Sequence, residues 1–456
     1  MDLLHGKIKT LYFKYLSAAF GSALISCIYG MVDMAMVGQY QGPDGTAALA
    51  VVAPVWNIIY SLGLLAGIGG GVIFSAKRGG ETENGGSENQ YFTAALFGAA
   101  VLALAAWAGI AVFERPVLTF FGATEPLLAL AREYMRPILL VFPLFLFNQL
   151  LPAFLRNDNA PGLATAGVLA GGIFNVFGDY FFVFVCDMGI YGAGLATAIG
   201  AGISFLVMLT HFLSRKNTLR LEKPRKLAAK LREIGVTGFS TFFIDVAMGI
   251  LTVLFNRQIM RYLGADALAV YGPIINVSTF VQCCAYSVGQ AAQPIISVNF
   301  GAGCGARIRE TLRPALWTTA FFGIVWTAVS LICPNLYVRI FMYPTPEILE
   351  MAPAVIRTYA CSFLLLPFNV FSTYYFQAIM KPRAAFAVSV ARGLVISGCL
   401  IYILPALTGP DSVWYAMPLT ELAVAVWAAF AVGKYTRALP AGSPHAGVPL
   451  LANADR

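Results

Sequence analysis

The sequence predicts an all-α, polytopic membrane protein: twelve membrane-spanning helices in two six-helix lobes related by a pseudo-twofold axis along the membrane normal. Three observations carry this. Hydrophobic residues fill 59% of the 456 positions and charged residues only 11%, with a mean hydropathy of +0.74, too apolar for a water-compatible fold. Apolar runs of about twenty residues or more, the length a helix needs to cross a bilayer core, recur almost from end to end. The two halves of the chain also repeat one another in register.

Backbone groups in lipid must be satisfied internally, which selects helices or closed barrels. Residues 94–113 are apolar on every face and lack the alternation of a transmembrane strand, so helices are expected. Spans fall near 11–37, 47–75, 91–113, 130–153, 162–185 and 190–213 in the first half. In the second half they fall near 236–262, 268–296, 311–333, 353–379, 384–407 and 412–435. The only long polar stretch between spans, 215–233, falls almost at mid-chain. The chain therefore divides into an N-terminal lobe (1–214, spans one to six), a basic linker (215–233), a C-terminal lobe (234–436, spans seven to twelve) and a tail (437–456).

The net charge of +8 raises the question of an anionic partner, but the cations lie between alternate spans rather than on one face, which argues against nucleic acid. With the N-terminus inside, the inner segments hold Lys7, Lys9, Lys14, Lys77, Arg78, Arg156, the run Arg215 to Arg232, Arg307, Arg309, Arg313, Lys381, Arg383, Lys434 and Arg437. The outer loops hold far fewer. An excess of Lys and Arg on one side marks it as cytoplasmic, so both termini are expected in the cytoplasm of a cell whose inner membrane holds the chain. The eight cysteines form no CxxC pair and read as small core or lipid-facing residues.

Gly45–Asn57 matches Gly264–Asn276 at a constant offset of 219, with Gly, Ala-Leu-Ala-Val, Pro and Asn in register, and Gly70 and Gly289 keep that offset. At an offset of 221, Pro161 aligns with Pro382, Ala164 with Ala385 and Gly172 with Gly393. Six spans per copy give both copies one orientation and suit alternating access between two lobes.

Six ionisable side chains fall within spans: Asp33, Asp179, Asp245, Arg257, Arg392 and Glu421. Each costs at least about 2.5 kcal/mol at a helix centre unless it faces a cavity or a partner. Arg257 reads as an interfacial charge snorkelling outward. Arg392 and Glu421, of opposite sign on the last two spans, read as a structural ion pair, with a coupling role as the alternative. The first half offers no intramembrane cation to neutralise Asp33 and Asp179. Asn175 precedes Asp179 by one helical turn and shares its face. Counting about 1.5 Å per residue brings Thr197 and Tyr134 to a similar depth. These oxygen ligands suit Na⁺, with Asp33, Asn175, Asp179 and Thr197 as its ligands, or a carboxylate pair holding a proton. The alternative is an internal hydrogen-bond network with permanently protonated carboxyls. Asp245, deeper toward the inside on span seven, is a second-lobe candidate: a second titrating group, a counter-charge for a cationic substrate, or a structural residue. His5, His211 and His445 fall at or outside span ends, which disfavours a histidine proton relay.

The stretches Val32–Gly38 with Ala47–Ala50, Phe154–Pro161, Asn175–Asp179 with Tyr191–Thr197, and Gly289–Pro294 leading to Asn299–Ala302 together resemble the multidrug and toxic compound extrusion (MATE) family, over nearly the whole chain. The resemblance implies two six-helix lobes and a secondary antiporter that expels cationic or amphipathic organic compounds in exchange for Na⁺ or H⁺, with no cofactor beyond the coupling ion. It implies that Asp33, Asn175, Asp179 and Thr197 are cation-site residues, that Tyr134 is an accessory tyrosine, and that Asp245 is the acidic position some members carry on span seven. Span ten departs from those members: Asn369–Tyr375 offers no carboxylate, which favours coupling through the first lobe.

The expected function is therefore a monomeric, cation-coupled exporter of small organic cations or amphipathic drugs in a lipid bilayer. A flippase for lipid-linked precursors is the alternative, for which a strongly cationic central cavity is expected, whereas the intramembrane charges here are mainly acidic. An intramembrane enzyme is disfavoured because the chain has no HExxH or GxSxG, and a nucleotide-driven pump because it has no GxxxxGK[ST] loop.

Overall fold

The computed structural model describes residues 3–80, 87–341 and 345–440. His445 and residues 441–456 of the expected tail lie outside the described residues. Among those described, twelve helices are long and apolar enough to span a membrane: α1 (Ile8–Gly42), α2 (Asp44–Gly79), α3 (Glu88–Phe120), α4 (Glu125–Asn157), α5 (Pro161–Val185), α6 (Gly189–Leu213), α7 (Leu227–Tyr262), α8 (Asp266–Gly301), α9 (Gly305–Ile332), α10 (Pro346–Ala378), α11 (Pro382–Thr408) and α12 (Pro410–Arg437). Every expected span has its helix. Large apolar side chains such as Leu140, Trp317 and Phe430 stand outward, as suits a surface solvated by lipid.

Local sequence explains where these helices start and turn. Proline opens α5, α10, α11 and α12, where its missing N–H has no intrahelical partner to lose. The turns after α1 and α7 use Gly42 (φ 67°) and Gly264 (φ 83°), in a backbone region that side chains with a Cβ rarely adopt. The seventh helix begins at Leu227 rather than near 236. Residues 227–233, which the polar pattern assigns to the linker, form its first turns, because Leu-Ala-Ala-Lys-Leu-Arg-Glu is a run of strong helix formers outside the apolar window.

The chain divides into two compact units of similar size. One gathers Ser17–Arg78 and residues 87–242, and the other gathers Leu3–Leu16, Gly79 and Gly80 with the described residues from Phe243 onward. The first turns of α1 thus belong to the second unit, and the start of α7 to the first. In the second unit Leu3, Ile8, Leu11, Tyr12 and Tyr15 enter a core with Val288, Ile295, Phe371 and Val424. Arg307 and Asn299 fix that segment by donating to the carbonyls of Leu3 and Gly6. In the first unit Gly69 and Gly238 let α2 and α7 approach so closely that a Cβ on either would meet the other backbone. The internal repeat reappears in packing. A Cβ on Gly70 would meet the Phe154 ring at 2.9 Å in one unit, and a Cβ on Gly289 the Tyr374 ring at 2.5 Å in the other.

Candidate functional site

In the first unit, small residues let the helices that carry the site pack backbone to backbone. Gly167 and Gly171 on α5 face Met208, Ser204 and Gly200 on α6, and Ser204 Oγ donates to the Gly167 carbonyl at 2.8 Å. Gly194 on α6 lies against the Tyr134 carbonyl of α4. On α1, Thr165 of α5 donates to the Ala18 carbonyl at 2.6 Å, and Gly172 leaves room for Ile25. These approaches, typical of helices that must associate without a hydrophobic drive, bring four helices together around one polar cluster.

Asp33 on α1, Tyr134 on α4, Asn175 and Asp179 on α5, and Thr197 on α6 all lie in that cluster. Tyr134 donates its hydroxyl to Asp33 Oδ2 at 2.7 Å. Asn175 Nδ2 stands 3.1 Å from Thr197 Oγ1 and 3.4 Å from Asp179 Oδ1. Asp33 and Asp179 are both buried within this unit. The second oxygens matter most: Asp33 Oδ1, Asp179 Oδ2 and Asn175 Oδ1 are buried and accept no hydrogen bond. Among the described residues no basic side chain pairs with either carboxylate. Three unsatisfied hard oxygens in one buried cluster form the donor set that a small cation or a proton would complete.

A cavity of about 60 Å³ adjoins the cluster, bounded by Asn175 and Thr197 on one side and by Tyr29, Tyr60, Asn148 and Gln149 on others. That is room for a few water molecules. Tyr29 and Tyr60 share a 2.6 Å hydrogen bond. Sequence reasoning missed these four, although each is a polar residue within an apolar span and so carried a signal.

The second-unit candidates sit apart from one another in role. Asp245 Oδ1 accepts from Tyr286 at 2.5 Å, and Tyr286 accepts from Gln282 at 2.6 Å. Arg392 Nε and Glu421 Oε1 form a buried ion pair at 2.7 Å. The α10 position without a carboxylate, Asn369, donates to Glu421 Oε2 at 2.6 Å. So a carboxylate does stand beside Asn369, supplied by α12 and already neutralised by an arginine. Arg257 is exposed.

A second cluster lies at the ends of the helices. Asp158 is fully buried and accepts from Arg78 at 2.7 Å, His211 at 2.7 Å, the Thr218 amide at 3.0 Å and the Thr218 hydroxyl. Burial pushes its carboxyl up, but the hydrogen bonds from His211, Thr218 and Arg78 outweigh burial and hold it below the usual carboxylate range. It joins the ends of α2, α4 and α6 to the segment that follows.

The sequence profile of the MatE family matches residues 18–181 and, beginning 221 residues later, 239–403. The chain belongs to the MatE family. Its members are transport proteins, so the chain is a multi-pass membrane transporter. The double match repeats the internal offset read from the sequence. The chain is 25% identical over 403 residues to the multidrug export protein MepA of Staphylococcus aureus, covering 87% of each. It is 25% identical to MepA of Staphylococcus haemolyticus over 90% of each. Among solved structures, a MATE protein in its straight conformation superposes with a TM-score of 0.88 at 18% identity, over 96% of this chain and 98% of that one. The MATE multidrug transporter DinF-BH, in complex with R6G, superposes at 0.85 with 24% identity, over 95% and 98%. These likenesses establish the MatE fold.

Proposed function

We propose that this MatE protein is a cation-coupled antiporter that exports cationic or amphipathic organic compounds, exchanging them for Na⁺ or H⁺ taken up at the Asp33–Asp179 cluster. The observation that carries the reading is the pair of buried carboxylates with bare oxygens and no basic partner among the described residues. Two uncompensated charges held out of water are costly, and a captured cation offsets that cost. The export of drugs by the MepA relatives supports the substrate class.

Na⁺ or H⁺ is a co-substrate here, held by Asp33, Asn175, Asp179 and Thr197, with Tyr134 orienting Asp33. Its binding favours the arrangement in which α1, α5 and α6 converge on the cluster. The organic substrate favours the other arrangement. Coupling follows only because each ligand has different affinities for the two states. Both termini face the cytoplasm of a cytoplasmic membrane, by the excess of Lys and Arg on that side, and the transporter works as a monomer.

Right-side-out vesicles or proteoliposomes given separate Na⁺ and pH gradients test this. Substrate efflux is expected to follow at least one of the two. Asp179→Asn is expected to abolish it while the protein stays folded, as read by thermal unfolding in detergent. Full gradient-driven efflux by that variant rejects the site.

A further inference from the structure

The segment joining α6 to α7 and the first turns of α7 together hold eight cations, Arg215, Lys216, Arg220, Lys223, Arg225, Lys226, Lys230 and Arg232, against two carboxylates, Glu222 and Glu233. All but Lys230 are exposed, and none of these seven forms an ion pair with a described residue. Lys230 instead lies 4.0 Å from the centre of the Tyr91 ring. Such a charge density on a soluble loop is usually solvated and mobile. Here the backbone is fastened at five points.

The Thr218 amide donates to Asp158 and its carbonyl accepts from Asn89 at 3.3 Å. The Arg220 amide donates to Asn89 Oδ1 at 3.0 Å, the Glu222 amide to Thr93 Oγ1 at 2.9 Å, and the Arg225 amide to Gln90 Oε1 at 3.1 Å. Leu219 is buried beneath this strap, while Leu213 and Leu221 stand 88% and 75% exposed among the cations. The first turns of α3 thus hold an extended strap in place, with its basic side chains and two leucines turned outward.

We propose that this strap is a binding surface for the anionic phospholipid headgroups of the leaflet that it borders. Both of its ends enter membrane-spanning helices within a few residues, so its cations stand within a Debye length of the headgroups. The outward leucines suit the acyl boundary of a bilayer and have no use against a soluble polyanion. Because the backbone is already ordered, binding costs little further conformational entropy. The partner is a phosphodiester lipid carrying net negative charge, and the leaflet's zwitterionic lipids are not held. Through Thr218 and Asp158 the strap also touches Arg78 and His211, so bound lipid would steady the ends of α2, α4 and α6.

The test is lipid retention by the full-length protein in detergent, followed by native mass spectrometry with phosphatidylglycerol and phosphatidylcholine of matched chains. Phosphatidylglycerol is expected to be retained selectively, and raising salt is expected to erase the preference. Each cation near an anionic surface is worth roughly fivefold in affinity. The variant Arg220→Gln/Lys223→Gln/Arg225→Gln/Lys226→Gln should therefore lose at least about a hundredfold in phosphatidylglycerol affinity. Lys434→Gln/Arg437→Gln, at the end of α12, should keep it. Equal retention of the two lipids, a salt-independent preference, or an unchanged preference in the fourfold variant overturns the proposal. So does tighter binding of an RNA oligonucleotide than of the lipid at these cations.

Discussion

Tyr134 donates a hydrogen bond to Asp33 Oδ2, and Asp33 Oδ1 is bare. Tyr134→Phe removes that bond and leaves the cluster otherwise intact. Initial rates of gradient-driven efflux are expected to fall about tenfold, the size of one charge-assisted hydrogen bond, while thermal stability changes little. Asp158 makes the opposite case, a carboxylate whose partners surround it. Its depressed pKa means that its contribution to stability is complete above the unfolded carboxylate value of about 3.9 and fades as pH falls through the lower folded value. Thermal unfolding of the wild type should therefore be insensitive to this group down to about pH 4 and lose its contribution below, and Asp158→Ala should cost about 3 kcal/mol at neutral pH. The two residues were not equally legible. Asp33 and Asp179 announce themselves as charges in apolar runs, and Asn175 by its one-turn spacing. Asp158 sits at a span end, and its partners Arg78 and His211 lie 80 and 53 positions away, a pairing no local pattern encodes.

At the level of helices, the site depends on how closely α5 and α6 approach. A side chain at Gly171 would run into the Gly200 carbonyl, backbone that cannot yield, whereas nothing stands within 4 Å of a Cβ on Gly202. Gly171→Val is expected to destabilise by about 1–3 kcal/mol and Gly202→Val to be neutral, read by unfolding in detergent. The α11–α12 contact offers a second check. Arg392→Met strands a buried Glu421 and should cost about 3–5 kcal/mol, while Arg392→Met/Glu421→Leu should recover most of it. Existence and order of the spans were readable because hydropathy and length state them directly. The start of α7 was not, since its first turns are polar and only their helix-forming residues mark them. Nor was the membership of Leu3–Leu16 in the second unit, because an apolar helix end reads the same whichever core it enters.

For the whole molecule, the internal repeat connects sequence, packing and family. It appears as matched Gly-Pro-Asn patterns, as the paired contacts of Gly70 with Phe154 and Gly289 with Tyr374, and as two successive matches to one family profile. Among the described residues the polar chemistry is not repeated. The first unit holds carboxylates with bare oxygens, and the second holds Glu421 paired with Arg392 and Asp245 bonded to Tyr286. That asymmetry supports the proposal that coupling runs through the first unit. The most direct test compares Asp33→Asn/Asp179→Asn with the wild type in proteoliposomes under two regimes, substrate counterflow without an ion gradient and substrate accumulation driven by an imposed Na⁺ or pH gradient. The variant is predicted to retain counterflow and lose gradient-driven accumulation; accumulation at the wild-type level would contradict coupling through these carboxylates.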